Sequence, residues 1–249
     1  MRISCASLLS SKVGVDTEDC VDEGTEGEEV GHTPYRVGRG HRRIRQSLTD
    51  FGIVVTYMSD FPNWFQTIES NFRHVFPVPV ETEFHALQLG VFTGDASLWI
   101  AENLLRHPDS TLTDVDTWQG SDETPHHELD FGKVEAFYDA RLAPWLSTAT
   151  VEKNKMTTRE WFRSFPTITD AFDLIYIDAD HTAAGVLEDA VNAHPLLKSG
   201  GVLAFDDYGW TSGIGVHEEP RLGIDAFLAV YGNKYETIGV GWQVWLRKL

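Results

Sequence analysis

Between Phe172 and Trp210 the chain reads FDLIYIDADHTAAGVLEDAVNAHPLLKSGGVLAFDDYGW, and this stretch limits the fold more than any other. Asp173–Ile177 is an almost unbroken apolar run, the pattern of a strand buried on both faces of a parallel sheet. Thr182–Ala193 reads as an amphipathic helix, with Leu187 and Val191 spaced for one face. After a turn at Lys198–Gly201, Val202–Phe205 is a second buried strand. Two such strands joined through a helix form a βαβ unit. Each strand ends in acid, Asp178 with Asp180 and His181 after the first, Asp206 and Asp207 after the second. Ligands of open α/β sheets bind outside the strand ends, where strand order reverses, so Asp178, Asp206 and Asp207 are expected to converge there. Three carboxylates without a basic neighbour repel one another, which a hard cation such as Mg²⁺ relieves; the alternative is that they cap the segments that follow.

A second segment, FHALQLGVFTGDASLWI, places a strand at Ala86–Leu89, a turn at Gly90–Gly94 and a helix at Ala96–Leu105. Glycines let backbone N–H groups approach a ligand at a helix N-terminus. The G-x-x-x-G spacing matches neither the dinucleotide fingerprint nor a phosphate loop, so the turn alone leaves a ligand site and an ordinary connection both open. The next strand, Thr111–Val115, ends at Asp116, where a carboxylate either takes ribose hydroxyls or caps the turn before Trp118.

The remaining segments fit around these. Residues 1–46 pair an acidic run, Asp16–Glu29, with a basic one, Arg36–Arg45, and have too few large apolar residues to offset ordering entropy; a flexible charged tail is expected. Residues 47–249 are expected to form a single domain, opening with a helical or lid segment over 47–80 whose helix runs from Pro62 to Phe72. Ser121–His127 is a polar loop whose adjacent His126 and His127 are read as solvated. Helices are expected at Phe131–Leu142, Thr158–Phe165 and Leu222–Tyr231, and a strand at Ala149–Lys153. Tyr235–Val240 and Trp242–Leu246 are too tightly joined to be anything but an antiparallel pair. The formal charge of −18 argues against a nucleic-acid partner, whose phosphates need clustered Lys and Arg. Cys5 and Cys20 are the only cysteines, which fits a reducing cytoplasm, and no run approaches the ~18 apolar residues of a membrane span.

Taken in order, LQLGVFTGDAS, TDVDTW, DLIYIDADHTAAGVLEDAV, LLKSGGVLAFDDYGW and IDAFLAVYGNKYETIGVGWQVWLRK resemble the class I S-adenosylmethionine-dependent methyltransferases, and among them the small-molecule O-methyltransferases of macrocin, catechol and caffeoyl-coenzyme A type. The resemblance implies a Rossmann-like, seven-stranded, mostly parallel sheet with an antiparallel last strand and helices on both faces. It implies that Gly90, Gly94 and Ser97 hold the methionine end of adenosylmethionine, Asp116 the ribose, and Met156 with Thr157 the adenine, with Phe92 and Trp118 among the cofactor contacts. Asp178 would sit beside the methyl donor and share a metal such as Mg²⁺ with Asp206 and Asp207. His181 stands where relatives often carry a lysine base; an imidazole is chemically suited to that work, and a structural helix-start histidine is the alternative. Gln88 replaces a glutamate common in relatives, which implies weaker attraction for the cofactor's ammonium. The implied partners are a small-molecule acceptor and at most a second copy of the chain.

The implied reaction is in-line attack by a substrate oxygen on the sulfonium methyl, with Trp118, Tyr208 and Trp210 either walling the acceptor or packing a lid. Two rivals stand beside it. A nicotinamide-dependent oxidoreductase also uses a glycine turn and an acid after the second strand, and a non-catalytic nucleotide- or adenosylmethionine-binding protein needs no base.

Overall fold

The computed structural model describes residues 61–121, 128–165, 168–211 and 219–249, and the backbone of 46–48 and 53–55. The expected tail, except for Gln46, and the histidines at 126 and 127 lie outside the described residues. A short antiparallel pair, β1 (Gln46–Leu48) and β2 (Ile53–Val55), precedes the main sheet.

That sheet contains β3 (His85–Leu89), β4 (Thr111–Asp116), β5 (Val151–Lys155), β6 (Phe172–Ile177), β7 (Leu197–Phe205), β8 (Tyr235–Val240) and β9 (Val244–Lys248). Their spatial order is β5-β4-β3-β6-β7-β9-β8. Neighbours are parallel except that β9 runs against both β7 and β8, so one strand alone is reversed, as expected. The order turns back between β3 and β6.

The alternation along the strands sorts their side chains onto two faces. Ala86, Leu112, Leu174, Tyr176 and Ala204 face α1 (Glu69–Val75), α2 (Asp95–Asn103) and α3 (Phe131–Leu146), through Phe72, Ile100, Tyr138 and Leu142. Leu87, Leu89, Val115, Ile175, Leu203 and Phe205 face α4 (Thr158–Ser164), α5 (Ala183–Ala193) and α6 (Pro220–Tyr231), through Trp161, Val186, Ala190 and Phe227.

Besides shifts of a few residues at strand and helix ends, these local expectations differ from the structure. The helix over Pro62–Phe72 becomes a short 3-10 turn at Phe65–Thr67 followed by α1, because Asn63 Oδ1 caps Gln66 N and Thr67 Oγ1 donates to the Trp64 carbonyl, which restarts the winding. The Lys198–Gly201 turn lies inside β7, and the left-handed Gly200 (φ +81°) coincides with a break in register against β6. The last strand begins two residues late, at Val244. In α5 the buried stripe is Ala183, Val186, Ala190 and Ala193, while Val191 is 40% exposed; the small face lets α6 approach so closely that a Cβ on Gly223 would fall 2.2 Å from the Ala183 carbonyl oxygen.

Candidate active site

Backbone hydrogen bonds stitch the strand tips together in one line. Met156 N donates to Asp116 O (3.0 Å), Gly90 N to Val115 O (2.9 Å), Asp178 N to Leu89 O (2.8 Å) and Asp206 N to Ile177 O (3.0 Å). The tips of β5, β4, β3, β6 and β7 therefore present Met156, Asp116, Gly90, Asp178 and Asp206 in succession across the point where strand order reverses. Gly90 has φ +82°, and a Cβ there would lie 1.8 Å from the Asp178 carbonyl oxygen, so β3 and β6 meet at this point with no room for a side chain.

The glycine turn is held from below. Asp116 Oδ2 accepts from Val91 N (2.7 Å) and Phe92 N (3.0 Å), and its Oδ1 accepts from Trp118 N (2.7 Å). A carboxylate has about four acceptor positions, so roughly one remains for a ribose hydroxyl. Trp118 is buried; its indole donates to the Phe92 carbonyl (3.0 Å) and packs against Tyr138, so it braces the turn from behind. Ser97 is also buried and donates to Gln88 Oε1 (3.1 Å), while Gln88 Nε2 donates to the Gly90 carbonyl (2.9 Å). At the start of α2, Asp95 is clamped by Arg141 Nη1 (2.6 Å) and Asn63 Nδ2 (3.0 Å). Of the expected adenine contacts, Met156 sits half-buried beside Asp116, and Thr157 closes a capping box with Glu160 at the head of α4.

At the other side of the reversal point the acids gather around an imidazole. His181 Nε2 lies 3.0 Å from Asp207 Oδ2 and 3.5 Å from Asp178 Oδ1. Asp178, His181 and Asp207 each offer a ligand atom, all within 4.8 Å of one another. Asp206 turns elsewhere: its Oδ1 accepts a hydrogen bond from Gln243 Nε2, whose Oε1 accepts in turn from Asn71 Nδ2 (2.8 Å) and Trp245 Nε1 (3.0 Å). Burial, and then the Asp206 and Asp207 charges, push the Asp178 carboxyl well above the usual carboxylate range, against the pull of His181. Burial and the Asp207 charge hold Asp206 up at about 7. With 32% of its side chain exposed, Asp178 is still reachable by a ligand. The Trp210 ring lies 5.3 Å from the His181 ring, while Tyr208 is bonded to Asp225 (3.0 Å) on α6. A concavity of about 460 Å³ beside Glu102, Arg106 and Trp145 holds none of these groups.

Sequence reasoning missed Gln243 and the Asn63–Asp95–Arg141 clamp. The signal for Gln243 was present, since an amide within the apolar run VGWQVWL has to find partners once buried. The clamp joins residues far apart in the chain and had no local signature.

A methyltransferase-domain family profile matches residues 87–208, from β3 through the acidic tip of β7. No curated protein matches the sequence. Among solved structures, the chain is similar to the O-methyltransferase from Bacillus cereus in complex with SAH, at 15% identity and TM-score 0.51 over 77% of this chain and 84% of that one. An rRNA methylase from Streptococcus thermophilus shows 12% identity and TM-score 0.50 over 73% and 96% of the two chains. The O-methyltransferase TomG from Streptomyces achromogenes, involved in tomaymycin synthesis and in complex with SAM, shows 19% identity and TM-score 0.46 over 66% and 73%. The match begins at the glycine strand and ends just past Asp206 and Asp207, across the whole line of strand tips, and over these residues the chain carries a methyltransferase domain of Rossmann-like fold.

Proposed function

We propose that the protein methylates a hydroxyl of a small molecule, with His181 as the base. The observation that carries this reading is the imidazole held 3.0 Å from Asp207 and beside Asp178, across the sheet reversal from Gly90. The residues suit the cofactor: crowded carboxylates at the strand tips favour a ligand bearing positive charge, and Asp116 and Met156 lie where its ribose and adenine would extend. When bound, adenosylmethionine supplies a methyl carbon already made electrophilic by its sulfonium. The protein's own work is then alignment and proton removal. The imidazole of His181 takes the acceptor's proton, and Asp207, 3.0 Å from Nε2, accepts from the ring and stabilises the imidazolium. Gln243 fixes Asp206 so that the β7 tip, and with it Asp207, keeps its direction. Trp210 offers the acceptor an aromatic wall next to the base.

A small-molecule acceptor is supported over RNA by the charge of −18. A second reading, favoured by the three donor atoms within 4.8 Å, makes Asp178, His181 and Asp207 ligands of a divalent cation. An imidazole among them suits Mn²⁺, Fe²⁺ or Zn²⁺ as well as Mg²⁺. The two readings compete for one ring, since an imidazole held by a cation is a much weaker base. Methyl transfer from labelled adenosylmethionine to panels of sugars, catechols and other hydroxylated natural products, and to RNA, decides the acceptor class. The base reading expects label on a small-molecule oxygen and full turnover in excess chelator; label only on RNA, or loss of turnover restored by added cation, overturns the corresponding part.

A further inference from the structure

Beneath the glycine turn lies a carboxyl with no part in the reaction described above. Asp114 sits within β4, wholly buried, in register with Gln88 on one side and Lys153 on the other. Tyr138 Oη donates to its Oδ2 (2.8 Å), and its Oδ1 has no partner among the described residues. The Ser97 hydroxyl lies alongside but directs its one proton to Gln88 Oε1. The Lys153 ammonium turns to Glu135 (2.9 Å) and Asp139 (2.6 Å), over the Trp118 ring. Asp95 is matched by Arg141, and Asp116 accepts from backbone amides. Among the described acids around the turn, Asp114 alone has an oxygen with neither a cation nor a donor. Ionising such a group is costly until positive charge arrives nearby.

We infer that Asp114 is a buried counter-ion for the cationic methionine end of adenosylmethionine, and that its O–H bond breaks as the cofactor binds, the proton leaving to the buffer. The inference rests on the cofactor reading above. It supplies a charge that Gln88, a neutral amide bonded to the Gly90 carbonyl, does not. In the free protein burial pushes the Asp114 carboxyl up to about 7, against the hydrogen bond from Tyr138 and with the Asp116 charge adding to the rise. Below that value the acid is neutral and must lose its proton for the cofactor to bind. Affinity is therefore expected to rise about fivefold between pH 6 and pH 7, with roughly 0.9 proton released per cofactor at pH 6.

Calorimetric titration of adenosylmethionine into the full chain, in two buffers of different ionisation enthalpy, measures both quantities. Asp114→Asn keeps the shape and can still accept from Tyr138; it is expected to release almost no proton and to bind with an affinity flat from pH 6 to pH 7. Tyr138→Phe removes the one donor and is expected to move the midpoint of the pH dependence upward. An Asp114→Asn protein with wild-type proton release and pH dependence overturns the counter-ion role and leaves the cofactor reading standing. Wild-type protein that takes up no adenosylmethionine overturns both.

Discussion

Replacing Gly90 with alanine tests the junction on which the site depends. Two costs arise. At φ +82° an alanine pays about 1–2 kcal/mol for left-handed backbone. The added Cβ would also lie 1.8 Å from Asp178 O, 2.4 Å from Asp178 C and 2.7 Å from Ala179 Cα, all backbone atoms that no rotamer change can move. Relief requires the tips of β3 and β6 to part. The Asp178 N to Leu89 O bond between them is then lost, at ~1 kcal/mol. The sum is roughly 2–3 kcal/mol, or about 4–12 °C in melting temperature for a domain of this size. Gly200 is the control: it has φ +81° but nothing within 4 Å, so its alanine variant carries only the backbone cost. Thermal unfolding with and without adenosylmethionine reads both effects. Gly90→Ala is expected to melt well below Gly200→Ala and to lose the ligand-induced rise that the control keeps. Equal melting temperatures for the two variants, with ligand stabilisation intact in both, would refute the close approach of β3 to β6 and the site built on it.

Three further outcomes are expected. Asp116→Asn replaces one carboxylate oxygen with a donor, so either the Val91–Phe92 pair or Trp118 loses its acceptor; calorimetry should show adenosylmethionine binding weakened by ~1–3 kcal/mol, and unchanged affinity would remove Asp116 from the cofactor site. His181→Gln should lower turnover and abolish the acidic limb of the pH–rate profile, whereas an unaltered limb would assign the imidazole to structure. Asp189 is buried between α4 and α5, and burial pushes its carboxyl up to about 7. The folded protein keeps that proton after the unfolded chain has lost it, so stability falls by up to ~4 kcal/mol as pH rises from about 4 to about 7. Asp189→Asn should thus stabilise by roughly 2–4 kcal/mol at pH 8 and by almost nothing near pH 4; a gain independent of pH in thermal melts would contradict the buried-acid account.

The parts of the fold legible in sequence are those that a local pattern fixes. The apolar run at 173–177 gave the central strand, and the acids after it gave the reversal point, because burial on both faces leaves little choice of residue. The antiparallel terminal pair followed from loop length alone. Side-chain direction was less legible. Asp206 and Asp207 are adjacent in sequence, yet one turns to Gln243 and the other to His181. That division depends on Gln243, just before β9, and on Asn71 of α1, from opposite ends of the described chain. Likewise Ser97 and Trp118 sit at motif positions but point beneath the turn, where Gln88 and Tyr138 receive them. The stripe on α5 was misplaced because Leu187 and Val191 outweigh alanines on any hydropathy count, while the neighbouring helix needed small residues to come close.

The position of β9 between β7 and β8 has a consequence for synthesis. β8 is made first, but its hydrogen-bonding partner in the sheet is the strand that follows it, and β9 also carries the contact to β7. Until Val244–Lys248 has joined the sheet, β7 therefore presents a bare flank. In that interval the nascent chain is open to pairing with a neighbour's strand, a hazard that a chaperone would lessen.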